Sequence, residues 1–552
     1  MTTLAIESMV VRSFTVMALA AGVACKEAAF VFLGATGDNA LRPNGVWQGL
    51  YESFAGGVFD ASTTGIHVAM NAPHTVTELH SKVLMTLSPL YAELKNNSGW
   101  ACKATAHDCS PEAMLKQVQT NIWVGRDADA QAKNMTPSLS GYDRVIVYLS
   151  IPPFAFAGWS KAAADNWGGG TKHRVHVAAE KPFGTSLADA DTLHEGIVAT
   201  IPEANVHLVD HWLSFFMNRH LPTFRGIVQP RLMGKGSHGQ VEWSGKSFEK
   251  IVVTEYETRG LAGRGGFFDK VGQVRDMVQS HLLQVLALVL IDPAAPSRSN
   301  AKLDLFNAMT VEKCSQAQYD GFLLEPKLSY HNGSADSTLT TMIFDVALDA
   351  WKDVEVVITT GKDMGTTLYT VELFERDGPG VLTYEIGKEE TGVAGIKVRS
   401  WPLRDSSAFE APYPGFTDTK TFHAQPTVSG GDGYILKYSD PSMYFPKPYA
   451  MMLSALLKND YSQAFVTYPE CHRSWEVVTG SSTAACLDPP PETVDVYKPP
   501  TTCGHAPPAV CYEGVTVQHL YAVMFACTTA HDAMYKNVSL YQAKCHPGPT
   551  KA

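Results

Sequence analysis

The segment LVDHWLSFFMNRH, residues 208–220, places an acid, Asp210, directly before an imidazole, His211. A carboxylate beside an imidazole at the end of a strand could orient a general base or hold an anion. The residues that follow are mostly apolar and aromatic, and Arg219 is the first basic residue after His211. The segment therefore indicates either an active site or the remains of one.

A pair of glycines follows the first apolar stretch of the chain. In VFLGATGDNALR (31–42), Gly34 and Gly37 come after a predicted strand and before a predicted helix. Glycine lets backbone N–H groups approach a pyrophosphate closely, and a helix N-terminus favours its negative charge. The spacing departs from the strict dinucleotide fingerprint, so an ordinary tight turn is an equally open interpretation.

The end of the second predicted strand does not indicate which dinucleotide binds. A dinucleotide fold usually has there an acid for a ribose hydroxyl or an arginine for a 2′-phosphate. The sequence reads AMNAPH (69–74) and has neither. Asn71 could bond a ribose and Arg42 could reach a phosphate, so NADP and NAD both stay open.

Two further stretches place polar residues beside predicted elements. EKPFG (180–184) sets Lys181 at the carboxyl end of a strand, where open sheets bind ligands, although a surface lysine fits as well. A glycine-rich turn at residue 263 leads into a helix that carries Asp276 and His281. A histidine beside a run of leucines is typical of a packed core, so its role stays open.

The pattern along the chain predicts two domains and a tail. Residues 28–207 alternate strands and helices, which indicates a Rossmann-like, doubly wound α/β sheet. Residues 208–485 favour an α+β domain for substrate binding and oligomerisation, with a large, mostly antiparallel sheet and helices on one side. Residues 486–552, rich in Pro and Cys, predict a linker or surface wrap and a tail. The predicted strands are 28–34, 65–70, 144–153, 174–184, 250–258, 340–348, 354–361 and 367–375.

The composition excludes several classes of protein. Of the 552 residues, 45% are hydrophobic and 18% are charged, as in a folded globular protein. The net charge of −11 argues against nucleic acid as a partner, because phosphate backbones favour clustered Lys and Arg. The apolar run 282–291 is too short to span a bilayer. No cysteine or histidine cluster has the spacing of metal ligands, so no metal is predicted.

The N-terminus and the cysteines are typical of an exported protein. Residues 1–24 predict a signal peptide, because Arg12 precedes the apolar stretch 14–24; a buried helix or a mitochondrial leader is the alternative. Six of the ten cysteines lie between Cys471 and Cys545. They predict disulfides in a secretory compartment or plain thiols in the cytosol. We expect the endoplasmic-reticulum lumen or secretion.

Six short motifs together resemble one known family. GATGD, IPPFAF, EKPFG, VDHWL, GRGGFFD and RDMVQSHLLQ occur in the order and spacing of the glucose-6-phosphate dehydrogenase family, over residues 28–480. VWQGLY (46–51), the loop between Cys102 and Cys109 and the leader are most similar to its endoplasmic-reticulum branch, hexose-6-phosphate dehydrogenase. That branch carries a lactonase domain after the dehydrogenase, whereas this sequence ends in GPTKA without a retention signal.

The resemblance implies an activity and a set of site residues. The expected reaction is NAD(P)-dependent oxidation of glucose 6-phosphate or a related hexose at C1 to the lactone, by a homodimer or tetramer. His281 matches the family's base and Asp210 the carboxylate that orients it. The expected substrate-binding residues are Lys181, His211, Glu257, Asp276 and Lys362; the expected cofactor-binding residues are Gly34, Gly37, Asp38, Arg42, Pro153 and Lys181.

The sequence departs from the family where the phosphate should bind. After VDH the family reads Tyr, Leu, Gly, Lys, but here Trp212 and Phe215 replace the tyrosine and the lysine, and Thr367 replaces a later basic residue. Hydrogen bonds to a charged group contribute about 1.5–3 kcal/mol each, so phosphosugar binding should weaken by about two to three orders of magnitude. We therefore expect a preference for weakly phosphorylated or free hexoses. The alternative is a non-catalytic paralogue that binds nucleotide or a partner protein.

Overall fold

The computed structural model describes residues 26–59, 64–71, 74–95, 108–123, 127–170, 174–223, 225, 235–236, 239–261, 263–269, 271–326, 328, 336–386, 394–400, 433–438, 447–461, 464–480, 487 and 495–497. The predicted signal peptide, Cys102 and most of the predicted tail lie outside these residues. The chain divides into two compact units. The first comprises residues 1–180, 195–207 and 449–460; the second comprises residues 181–194, 208–448 and 461–552.

The strands and helices have the following bounds. The strands are β1 Lys26–Leu33, β2 Thr64–Asn71, β3 Val118–Trp123, β4 Tyr142–Leu149, β5 Val175–Ala179, β6 Val206–Val209, β7 Lys235–Gly236, β8 Gly239–Gln240, β9 Phe248–Tyr256, β10 Met309–Tyr319, β11 Leu339–Val346, β12 Glu355–Gly361, β13 Leu368–Glu375, β14 Val381–Ile386, β15 Ala394–Arg399, β16 Gly433–Tyr438, β17 Phe465–Val466 and β18 Asp495–Tyr497. The helices are Asp38–Leu41, Val46–Ala55, Val76–Leu94, Pro111–Gln117, Ala128–Leu139, Phe156–Trp167, Leu187–Val198, Phe216–Thr223, Gly265–Phe268, Leu283–Leu290, Arg298–Asn307, Pro448–Lys458 and Tyr468–Thr479. Short 3₁₀ turns are Pro153–Ala155, Glu203–Asn205, His211–Ser214 and Phe322–Leu324, and Val274–Leu282 is a π-helix.

A parallel sheet forms the core of the first unit. Its strands follow the order β5-β4-β1-β2-β3, and they are joined through helices. The side chains of β1 from residue 28 onward are buried, as expected for a parallel strand covered on both faces. Strand β1 pairs with β2 on one side and with β4 on the other, so the strand order reverses at β1. This confirms the predicted Rossmann-like topology. The sequence pattern missed β3.

A nine-stranded, mostly antiparallel sheet forms the core of the second unit. Its order is β16-β15-β14-β13-β9-β12-β11-β10-β18, with parallel pairing between β9 and β12 and between β10 and β18. The large mostly antiparallel sheet predicted for this part of the chain is confirmed. The last strand comes from the stretch predicted as a linker or surface wrap, and Tyr497 within it is fully buried beside Tyr256 and Tyr319. The proline-rich stretch therefore contributes an edge strand.

The helix predicted to carry Asp276 and His281 has two parts. A π-helix, Val274–Leu282, is followed by an α-helix, Leu283–Leu290, whose side chains are all buried. The Gln279 amide donates a hydrogen bond to the hydroxyl of Ser474 on helix Tyr468–Thr479 at 3.0 Å. Short π-helical segments are frequent at functional sites, because the wider turn shifts which side chains share a face. None of the helices in the described ranges combines the length and the apolar character needed to cross a membrane.

Candidate active site

The structure brings Asp210 and His281 into direct contact. Asp210 follows β6, and its Oδ1 lies 2.6 Å from Nδ1 of His281, in the last turn of the π-helix. The same oxygen accepts a hydrogen bond from the backbone N–H of Trp212 at 3.0 Å, which caps the turn His211–Ser214. Both acidic and imidazole side chains are at most 3% exposed. Two residues separated by 71 positions thus form a carboxylate–imidazole pair.

Burial raises the proton affinity of the Asp210 carboxyl. The pKa of Asp210 rises to about 7, and the hydrogen bond from Trp212 together with the charges of Lys181 and Lys302 opposes the rise. A carboxyl group in contact with Nδ1 can hold the imidazole ring in one orientation, with Nε2 as the nitrogen left for a proton transfer.

Aromatic rings enclose the imidazole. The indole of Trp212 stacks on the ring of His281, with centroids 5.1 Å apart and an angle of 17°. The ring of His211 meets the same imidazole edge-on at 5.1 Å. The centroid of the Tyr369 ring lies 4.2 Å from that of the Trp212 ring, and Phe215 lies edge-on to both rings. His281 is consequently only 1% exposed.

A second cluster pairs two lysines with two carboxylates. Lys362 Nζ lies 3.0 Å from Glu257 Oε2 and 3.3 Å from Asp276 Oδ2, and Lys181 Nζ lies 3.2 Å from Asp276 Oδ1. Burial tends to raise the pKa of Asp276, but Lys181 and Lys362 hold it well below its ordinary value. Burial alone would lower the pKa of Lys362, but Glu257 and Asp276 raise it. The lysine that the resemblance assigns to phosphate is therefore already compensated by two anions.

A solvent-open cleft lies beside this cluster. Its lining includes Lys181, Phe267, Asp276, Gln279 and Ser280. Hydroxyl, amide and charged groups next to an exposed phenyl ring suit a small polyhydroxy ligand. Of the predicted residues in the second unit, Lys181 and Asp276 line this cleft.

The predicted cofactor residues of the first unit lie where its strand order reverses. Gly34 ends β1 with φ +89°, and a Cβ on it would lie 1.9 Å from the carbonyl oxygen of Ser150, so only glycine fits. Gly37 and Asp38 are exposed at the start of helix Asp38–Leu41. Pro153 begins the 3₁₀ turn after β4, the strand that pairs with β1. In open α/β sheets, nucleotides bind in this crevice.

Sequence reasoning missed a polar cluster next to these residues. The amide of Asn39 donates hydrogen bonds to Glu180 Oε1 and to the Tyr449 hydroxyl, both at 3.2 Å, and the Tyr148 hydroxyl also donates to Glu180. Asn39 and Glu180 adjoin predicted site residues, so their positions carried a signal. Tyr449 lies 410 residues from Asn39, and no local pattern indicates their contact.

Comparison with known proteins identifies the family. Residues 31–217 match the NAD binding domain of glucose-6-phosphate dehydrogenase, and residues 240–499 match the C-terminal domain of the same family. The chain belongs to the glucose-6-phosphate dehydrogenase family. Glucose-6-phosphate 1-dehydrogenase 1 of Mycobacterium tuberculosis is 30% identical over 246 residues, which are 43% of this chain and 50% of that protein. The GDH/6PGL endoplasmic bifunctional protein of Oryctolagus cuniculus is 26% identical over 345 residues, 60% of this chain and 42% of that protein.

The structural comparison supports the same fold. A solved glucose-6-phosphate dehydrogenase in complex with glucose-6-phosphate superposes with a TM-score of 0.66 at 19% identity, over 91% of this chain and 98% of that one. This chain spans about half the length of the curated relatives described above. Bacterial and endoplasmic-reticulum proteins both match, so the branch within the glucose-6-phosphate dehydrogenase family stays a prediction.

Two of the three positions that depart from the glucose-6-phosphate dehydrogenase pattern, Trp212 and Phe215, are enclosed. Trp212 and Phe215 are 4% and 9% exposed and contact each other and Tyr369. The Thr367 hydroxyl lies 3.4 Å from the hydroxyl of Thr258. Aromatic and hydroxyl groups therefore occupy positions where the resemblance predicts phosphate contacts.

Proposed function

We propose that the chain is an NAD(P)-dependent dehydrogenase that oxidises C1 of a hexose or hexose phosphate to the lactone. The observation that carries this proposal is the 2.6 Å contact between Asp210 and His281 in a chain of the glucose-6-phosphate dehydrogenase family. The test is reduction of NADP or NAD, followed by absorbance, with glucose 6-phosphate, glucose and a panel of other hexoses. Failure with every hexose would count against the proposal.

His281 is the proposed general base. Its Nδ1 faces Asp210, so Nε2 is the ring nitrogen that takes the proton of the C1 hydroxyl. Asp210 fixes the tautomer and stabilises the imidazolium that forms. Lys181 and Asp276 hold sugar hydroxyls from the cleft that they line.

The dinucleotide site is proposed in the first unit. The exposed Gly37 and Asp38, the tight turn at Gly34 and the turn at Pro153 fit a pyrophosphate at the point where the strand order reverses. When bound, the dinucleotide accepts the hydride from C1. The exposed Arg42 is the proposed contact for a 2′-phosphate, which favours NADP, with NAD as the alternative. Comparing dissociation constants of the two cofactors tests this choice.

We further propose that the substrate preference has moved toward weakly phosphorylated or free hexoses. The support is the aromatic environment at Trp212 and Phe215 and the pairing of Lys362 with two carboxylates. Burying a phosphate dianion without new hydrogen bonds is costly. Steady-state kinetics with glucose and glucose 6-phosphate test the preference. A micromolar KM for the phosphate ester contradicts it.

A second candidate is a non-catalytic paralogue that binds nucleotide or a partner protein. The observation that favours it is the enclosure of His281 beneath Trp212. Dinucleotide binding without reduction across the hexose panel would support this candidate. Dinucleotide reduction with any hexose, lost in a His281 variant, would exclude it.

A secretory location, in the endoplasmic-reticulum lumen or outside the cell, completes the proposal. Cys109 and Cys314 are disulfide-bonded, and such bonds persist in oxidising compartments. Cys471, by contrast, is a buried free thiol. Peptide mapping under non-reducing conditions, together with localisation of the tagged full-length chain, tests the compartment. Light scattering tests the expected homodimer or tetramer.

A further inference from the structure

A row of buried polar side chains crosses the sheet of the second unit. Tyr369 on β13 lies opposite Glu255 on β9, which lies opposite Thr360 on β12, and the row continues through Thr340 on β11 and Gln316 on β10. All five are less than one-tenth exposed, and Glu255 is completely buried. Buried polar groups cost free energy unless they are hydrogen-bonded. Such a row therefore calls for a specific role.

Hydrogen bonds connect this row to the element that carries the proposed base. The hydroxyls of Tyr369 and Thr360 both donate to the carboxylate of Glu255. The amide of Gln273 donates to the Thr360 hydroxyl at 2.7 Å, and Gln273 directly precedes the π-helix Val274–Leu282. The Glu255 carboxylate thus fixes the ring of Tyr369 relative to the helix on which His281 lies.

The ring of Tyr369 supports two other aromatic residues. It contacts the indole of Trp212 at 4.2 Å with an angle of 30°, and Phe215 lies edge-on to it at 6.1 Å. We call Trp212, Phe215 and Tyr369 the aromatic wall. Trp212 in turn stacks on His281, so the wall adjoins the imidazole directly. Offset and edge-on contacts of this kind are favourable beyond the area that they bury.

We propose that Tyr369, held by Glu255, is a specificity-determining positioning residue. It keeps the aromatic wall closed beside the proposed base, so that the end of the sugar away from C1 meets apolar rings rather than cations. The substrate class that fits is a hexose without a phosphate group. This inference rests on the proposed function, and it identifies a residue that the motif comparison does not contain.

The test is a double-mutant cycle on glucose 6-phosphate. Phe215→Lys alone places a cation in a wall that Tyr369 still fills, so its KM should fall less than about threefold. Combined with Tyr369→Ala, which opens the space, the new lysine should lower that KM about 10- to 100-fold, the range of one charged hydrogen bond. Tyr369→Ala alone should raise the KM for glucose. Tyr384→Ala is the matched control, because it removes another buried tyrosine of the same sheet. It should leave the KM ratio, the KM for glucose divided by the KM for glucose 6-phosphate, unchanged.

We call the hydrogen bond from the Tyr369 hydroxyl to Glu255 the tether, and substitutions of Glu255 test it separately. Glu255→Ala should reduce discrimination between the two sugars as Tyr369→Ala does, whereas Glu255→Gln, which still accepts from the Tyr369 hydroxyl, should retain it. A general loss of stability would change kcat in both variants but would not separate alanine from glutamine in the KM ratio. Equal effects of the two substitutions on that ratio contradict the tether.

Two outcomes would contradict the proposed role of the aromatic wall. One is that Phe215→Lys and Tyr369→Ala have additive effects on the KM for glucose 6-phosphate. The other is that Phe215→Lys alone lowers that KM as much as the double substitution does. If the wild-type chain reduces dinucleotide with no hexose, the proposed function fails, and calorimetric binding of glucose 6-phosphate to the same four proteins then decides the inference. Non-additive tightening in that measurement supports the wall without turnover.

Discussion

The two predicted sites, one in each unit, differ in the burial of their polar groups. In the first unit, the residues assigned to the dinucleotide are at the surface: Gly37, Asp38 and Arg42 are exposed. In the second unit, Asp210 and His281 contact each other and Lys362 contacts carboxylates, and these three side chains are at most 3% exposed. The first region presents exposed groups to a ligand. The charged groups of the second region are paired with one another.

This difference indicates where substrate selection resides. A surface that offers free polar groups accepts the anionic part of any dinucleotide, since the pyrophosphate contacts are mostly backbone. A region whose charges are already paired binds a ligand favourably only if the ligand replaces those ion pairs or packs against the rings around them. The positions at which this chain departs from the family pattern, Trp212 and Phe215, lie in the second region.

The largest effect is expected from His281→Ala. Removal of a positioned general base typically costs about 10² to 10⁴ in rate, so kcat/KM for the best hexose should fall by about three orders of magnitude. Dinucleotide affinity, measured by fluorescence, should be unchanged, because His281 is not among the proposed cofactor residues. An active His281→Ala enzyme would remove His281 from the mechanism.

Asp276→Asn should destabilise the second unit. It removes the carboxylate that pairs with Lys181 and Lys362, and breaking a buried pair costs about 3–5 kcal/mol. Because the folded-state pKa of Asp276 is depressed, its stabilisation is present above pH ~4 and is lost as pH falls below that value. Urea unfolding at pH 7 and pH 2.5 measures both effects. Asp165→Asn, in the exposed pair with Lys161, is the control and should change neither.

Gly34→Ala should damage the first unit alone. The positive φ and the clash with the Ser150 carbonyl require the turn after β1 to move, which costs about 1–3 kcal/mol. Thermal unfolding and dinucleotide affinity should both report the change. Gly158→Ala is the matched control, because a Cβ there meets nothing within 4 Å and the residue lies in helix Phe156–Trp167. That substitution should be neutral or stabilising by about 0.5–1 kcal/mol.

The order of the elements was readable from the sequence, and the pairings between them were not. The first sheet was predicted because short apolar strands alternate with helices, and Gly34 was predicted because its turn follows β1 directly. Strand β3 was missed because it has no such apolar run: VQTNIW mixes polar and apolar residues. β18 was missed for a related reason, because three residues within a proline-rich stretch give no strand pattern.

The candidate site divides in the same way. Motif resemblance pointed to Asp210 and His281, and the structure places them in contact. Tyr369 and Glu255 could not be predicted, because their pairing depends on the register between β13 and β9, strands more than 100 residues apart. A motif does not indicate which side-chain rings contact one another in a site. The strand register of the folded sheet shows that.

The smallest effect is expected at His67, which lies in the first unit and outside the proposed site. Burial, followed by the charge of Lys26, lowers the pKa of His67 to about 4, and its ring meets Tyr142 edge-on. The unfolded chain, with a histidine pKa near 6.5, binds more protons between these values, so stability is lost as pH falls from about 6.5 toward 4. At pH 5.5 the loss relative to pH 8 should be about 1.4 kcal/mol, and His67→Phe should abolish that part of the dependence. Denaturant unfolding at the two pH values measures it. A variant with an unchanged pH slope would mean that His67 is protonated in the folded chain, and that the first unit tolerates a buried charge as well as the second does.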